Sequence, residues 1–134
     1  MVRLRSKPGR GFTLIELMIV ISLIAILIAI AVPNYTRSLV QAKESVLRQD
    51  LFQLRSLISQ YTLDKQKAPQ SLDDLVQAGY LKVIPNDPMT TKPDWTVEQE
   101  ENTVLDPNQT DTGIDDVHSS STQTATDGTA YNTW

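Results

Sequence analysis

The feature that most constrains this chain is an apolar run near its start. From Phe12 to Val32 only Thr13, Glu16 and Ser22 are polar. As a helix this run is about 30 Å long, enough to cross a bilayer. The four basic residues before it, Arg3, Arg5, Lys7 and Arg10, place the N-terminus in the cytoplasm and the rest of the chain on the far side. A secretory signal peptide is the weaker reading. "AIA" at Ala29 to Ala31 imitates a cleavage site, but the run exceeds the usual ~7–15 residues and Pro33 follows at once. Glu16 is the oddity. An ionised carboxylate at membrane depth costs roughly 2.5–3.5 kcal/mol and persists mainly where a partner meets it. The alternative is that Glu16, one turn inside the run, reaches back to the headgroups and does nothing specific.

With so much apolar content in one block, the remainder of a 134-residue chain builds one small domain with a thin core. There is no cysteine, which excludes both a disulfide framework and a thiolate metal site. The net charge of −4 becomes −8 if the four leading basic residues are removed, a surface that argues against nucleic acid as a partner.

Beyond Pro33, which has no backbone donor and should kink the helix, the stretch from Tyr35 to about Lys65 contains neither Gly nor Pro. Val40, Leu47, Leu51, Leu54, Ile58 and Tyr61 lie on one face of a continuing helix, an apolar stripe that the C-terminal part of the chain must cover. Pro69 is expected to stop this helix. "SLDDLVQAGYL" predicts a short second one, with Ser71 as N-cap, Asp73 and Asp74 in the first turn and Gly79 as terminator. Strands are expected over Trp95 to Val97, within "GIDDVHS" and at "TAYNTW". Trp95, Val104, Ile114, Val117, Tyr131 and Trp134 are to supply the apolar contacts. The fold class is α+β: a long N-terminal helix packed on a short helix and a small two- to three-stranded antiparallel sheet, with a C-terminal loop.

"GFTLIEL", after a short basic leader ending in Gly11, resembles the recognition sequence of type IV prepilins and type II secretion pseudopilins. The resemblance implies that a membrane-embedded prepilin peptidase cuts between Gly11 and Phe12 and that Phe12 is then N-methylated. Residues 1–11 would be the leader, 12–33 the transmembrane and assembly helix, and 34–134 a periplasmic pilin-like domain. It also gives Glu16 a partner: the Phe12 amine of a neighbouring subunit. "QYTLDKQKAPQSLDDLVQAGYLKVIPNDP" is similar, more narrowly, to major pseudopilins of type II secretion, whereas "VPNYTRS" leans toward true pilins. Two departures stand out. Met89, Thr90 and Thr91 replace the tryptophan and glycine usual after the Pro–x–Asp–Pro turn, and the stretch before "GYL" is shortened. The implied function is a structural subunit of a secretion pseudopilus that drives protein export across the outer membrane; the alternatives are a type IV pilus subunit, for adhesion or motility, and a membrane-anchored periplasmic binding module that never polymerises. The implied partners are copies of itself, the peptidase, an inner-membrane secretion platform and minor pseudopilins. Before assembly the subunit would sit in the inner membrane as a single-pass protein, and afterwards the filament would stand in the periplasm.

From Pro93 to Trp134 there are nine acidic residues and no Lys or Arg, either a solvated acidic face or a hard-cation site. "DVHSSSTQTATDGT" resembles the C-terminal calcium loop of major pseudopilins, which implies Ca2+ held by Asp127, with Asp116 and Ser119 and backbone carbonyls of 119 to 126. The family's second loop carboxylate has no counterpart after Gly128. Catalysis is not expected. "DDVHSS" places Asp116 and His118 on one face of a strand but turns Ser119 away, and no glycine-flanked serine elbow exists.

Overall fold

Helix α1, Leu14–Lys65, takes up 52 residues and carries Pro33 within it. In this computed structural model, residues 9, 11–101 and 112–134 are described, and the chain divides into two compact units between Ser38 and Leu39. In the first unit the side chains of the apolar run are exposed throughout. That part of α1 is long and apolar enough to cross a membrane, and none of it is buried by the protein itself.

In the second unit α1 turns Leu47, Leu51, Leu54 and Ile58 inward and leaves Tyr61 partly covered, as the stripe predicts. Two details differ. Val40 is exposed, and the place between it and Leu47 on the same face is taken by Glu44, which is buried. The helix ends before Pro69. Gln66 adopts a left-handed conformation (φ 54°), and its side-chain amide donates to the Leu63 carbonyl at 2.7 Å, so the stop is made by Gln66 and not by the proline.

Helix α2, Leu72–Gln77, starts where Asp74 Oδ2 accepts the backbone N–H groups of Gln70 at 2.8 Å and Ser71 at 3.1 Å. It closes at Gly79, whose φ of +83° lets the following N–H groups of Tyr80 and Leu81 fold back onto the Leu75 carbonyl. Strands β1, Thr96–Glu101, and β2, Thr112–His118, pair antiparallel, so among the described residues the sheet is two-stranded. Between Glu98↔Asp116 and Gln99↔Ile114 the register shifts, which leaves Asp115 as an extra residue. This bulge lets Ile114 and Val117, an odd number of residues apart, both face the core. Leu72, Leu75, Trp95, Ala125 and Tyr131 complete that core. Trp95 satisfies its indole N–H on the Pro85 carbonyl at 2.8 Å.

The expected third strand at "TAYNTW" does not form. The segment makes one isolated bridge, Thr124↔Ala130, and then a single 3-10 turn, Tyr131–Thr133. Val104, expected in the core, lies outside the described residues.

Candidate functional site

Gly11, Phe12 and Thr13 lead into α1 as exposed, non-helical residues. Thr13 caps the helix: its Oγ1 accepts the Glu16 N–H at 3.2 Å and its carbonyl accepts the Leu17 N–H at 3.1 Å. Thr13 and Glu16 have the spacing of a capping box, but only the Thr13 half of it is made, and a carboxylate in the first helical turn suits the helix dipole. That dipole effect is the ordinary account of Glu16. It leaves one thing over: among the described residues no side chain or backbone group bonds to the Glu16 carboxylate. Gly11 is equally unconstrained. A Cβ built there meets nothing within 4 Å, and its φ is not in the left-handed region. The fold does not ask for glycine at position 11, so any demand for it comes from outside the chain. Phe12 is 80 % exposed.

The second group of expected site residues lies in the C-terminal segment. Asp116 Oδ1 receives Arg55 Nε at 2.5 Å and the Val117 N–H at 2.7 Å. Burial pushes its carboxyl up, but those hydrogen bonds and the charges of Arg55 and His118 outweigh it and hold the group below its ordinary value. Asp127 Oδ1 accepts from the Thr129 hydroxyl at 2.6 Å and the Thr129 N–H at 2.9 Å, while Oδ2 faces Arg48 at 3.3 Å. The Thr129 hydrogen bonds lower its pKa most, with Arg48 adding to them. Ser119 is fully buried, and its hydroxyl donates to Asp87.

These partners decide whether the three residues suit a calcium ion. Both carboxylates already carry an arginine, and the serine hydroxyl is directed at a different carboxylate. Of the loop carbonyls expected to complete the sphere, Gln123 O and Ala125 O accept the N–H groups of Tyr131 and Gly128. Among the described residues no group of three or more His, Asp or Glu side chains is gathered as metal ligands would be. The donor set present here does not fit the ion.

His118 completes the picture on β2. Its Nδ1 lies 2.5 Å from the Trp134 main-chain oxygen, and its Nε2 lies 3.5 Å from Glu98 and 3.6 Å from Asp116. Ser119 is committed to Asp87, so among the described residues Asp116, His118 and Ser119 are not assembled as a nucleophile and its base.

Sequence reasoning missed Glu44. Its Oε1 accepts the Thr126 N–H at 2.7 Å and the Tyr131 hydroxyl at 2.8 Å, and its Oε2 accepts the Thr126 hydroxyl at 2.6 Å. Burial alone would raise the Glu44 carboxyl, yet the Thr126 and Tyr131 hydrogen bonds prevail and lower it. The Tyr131 hydroxyl, by contrast, is pushed up to about 12 by burial and by the carboxylate it bonds. The signal was present: Val40, Glu44, Leu47 and Leu51 step by four, three and four, so a carboxylate occupies a core position of the stripe.

Comparison with known proteins adds the following. Residues 7–32 match the prokaryotic N-terminal methylation motif. The type II secretion system core protein G of Klebsiella michiganensis is 32 % identical over 101 residues, covering 63 % of this chain and 71 % of that protein. The protein of the same name from Pseudomonas aeruginosa is 35 % identical over 101 residues, with the same coverage of 63 % and 71 %. The type IV major fimbrial protein FimA of Dichelobacter nodosus is 43 % identical over 61 residues, 46 % of this chain and 38 % of that protein. No solved structure gives a significant match.

Proposed function

Because the chain belongs to the family of type II secretion system core protein G, pilin-like structural subunits, we propose that it is the filament-forming subunit of a secretion pseudopilus. The observation that carries this reading is Glu16, a carboxylate without a partner among the described residues, at the head of an apolar helix segment that the protein leaves wholly exposed. A bilayer covers such a segment before assembly, and the same segment of other subunits covers it afterwards. The leader, residues 1–11, is removed between Gly11 and Phe12 by a prepilin peptidase. The methylated Phe12 amine, still cationic, meets Glu16 of the neighbouring subunit and sets the axial register of the helices. Residues 34–134 form the periplasmic domain. Growth of the filament from an inner-membrane platform, with minor pseudopilins as partners, drives protein export.

A type IV pilus subunit is the second reading, favoured by the FimA similarity, which is the higher in identity though the shorter in span. Both readings share the assembly chemistry. They part in the phenotype of a strain lacking the chain, which loses export in the first case and surface fibres in the second.

The assembly chemistry is tested by shearing and pelleting filaments from cells that carry the peptidase and platform. Glu16→Ala and Glu16→Gln should reach the membrane at wild-type level, since a costly charge has been removed. Filament yield should fall at least about tenfold for want of the ion pair. Wild-type yield from both variants would reduce Glu16 to its favourable place at the helix dipole.

A further inference from the structure

The calcium expectation assigned to a cation the task of holding the cysteine-free C-terminus. In this structure three side chains of α1 perform it. Glu44, Arg48 and Arg55, separated by four and seven positions, share one side of the helix. Glu44 takes three hydrogen bonds from Thr126 and Tyr131, across more than 80 positions of sequence. Arg48 pairs with Asp127 and lies 4.2 Å from the centre of the Trp134 ring, a cation–π contact. Arg55 binds Asp116 and also donates to the main-chain oxygens of Val117 at 3.0 Å and Trp134 at 2.9 Å.

A bound cation in such a loop neutralises converging carboxylates and fixes the backbone around them. Two arginines together supply the charge of one divalent cation, and the planar, multiply donating head of Arg55 fixes carboxylate and carbonyl together. Glu44 is the complementary device, a buried acceptor that collects the donors of the loop. We propose that Glu44, Arg48 and Arg55 form a helix-borne clamp that takes the place of a metal ion in this subunit, so that its C-terminal segment folds and stays folded without calcium. The two carboxylates that would have bound the ion are neutralised by the clamp itself.

The test is hydrogen–deuterium exchange of peptides covering residues 119–134, on the full chain in detergent. It is made on the isolated subunit and therefore stands or falls separately from filament assembly. Exchange of wild type should be the same in millimolar calcium chloride and in chelator. Glu44→Gln keeps the volume but loses the charge that the Thr126 and Tyr131 donors share, and should speed exchange of the segment about tenfold. Arg48→Met should speed it less, and serves if the Glu44 variant does not fold. Slower exchange of wild type in calcium, abolished by Asp127→Ala, would overturn the proposal. So would a Glu44→Gln or Arg48→Met segment that exchanges as wild type does.

Discussion

Gly113→Ala is the sharpest test of how the sheet is seated. A Cβ at position 113 would lie 2.3 Å from the Ala68 Cβ and 3.2 Å from the Ala68 backbone carbons, against an ordinary carbon–carbon contact of about 3.5–4.0 Å. Something must move by about 1.2 Å or more. Moving β2 outward stretches the Ile114 N–H to Pro69 carbonyl bond, 2.8 Å long, and lifts Ile114 from the core, where it is 1 % exposed. Overpacking costs about 1–3 kcal/mol and a weakened hydrogen bond adds about 0.5–1.5 kcal/mol, so a loss of about 2–4 kcal/mol is expected. Urea unfolding of the full chain in detergent, followed by tryptophan fluorescence, measures it. Ala68→Gly removes the nearest atom, and the double variant should recover at least half of the loss, a non-additivity expected only of residues in contact. A single variant within about 0.5 kcal/mol of wild type, or a double variant no better than the single, would refute the packing described.

Gly11→Val should leave the folded domain untouched, since nothing surrounds the position, yet block removal of the leader. A blot showing the mature form would disprove the cleavage site. Thr91 is a β-branched residue held at φ 62°; Thr91→Gly should raise stability by about 0.5–1 kcal/mol in the same urea assay, strain relief outweighing added chain entropy. Glu44, Asp116 and Asp127 all titrate below their ordinary values. Each therefore contributes stability that is complete above the unfolded carboxylate range, about pH 4, and is lost as pH falls through the lower folded value. Tyr131, raised to about 12, behaves oppositely: its contribution is complete below about pH 10 and is lost on approach to 12. Tyr131→Phe should shrink the alkaline part of a stability–pH profile, leaving the share of Tyr80, whose hydroxyl is also raised by its hydrogen bond to Asp64, and should weaken the Glu44 share of the acid part, since Glu44 loses one of the hydrogen bonds that lower it.

The helix and its inward stripe were legible because helical periodicity needs only local sequence. Leu47, Leu51, Leu54 and Ile58 advertise a buried face wherever the cover comes from. The short helix was legible for the same reason, through Asp74 and Gly79. The C-terminal segment was not. "TAYNTW" alternates like a strand, but the Tyr131 hydroxyl is drawn to Glu44 and the Thr133 N–H turns back to Ala130, so local turns and one distant carboxylate prevail over a weak pattern. The hydrogen-bond partners of Arg48 and Arg55 lie 61 to 79 positions away, a pairing that no local rule contains. Asp116 and Asp127 were singled out as calcium ligands, and loop composition alone could not distinguish a cation from an arginine as the group beside them. The N-terminal motif was legible because it resides in consecutive residues, and residues 7–32 match the prokaryotic N-terminal methylation motif.

The central claim is that this chain is a subunit processed for assembly through its first helix, and intact-mass and N-terminal peptide mass spectrometry of the protein from its own cell membranes tests it most directly. The expected spectrum shows a chain that begins at Phe12, carries one methyl group on its α-amine and retains an unmodified Glu16. A chain that keeps residues 1–11, or one trimmed at Ala31, would contradict it.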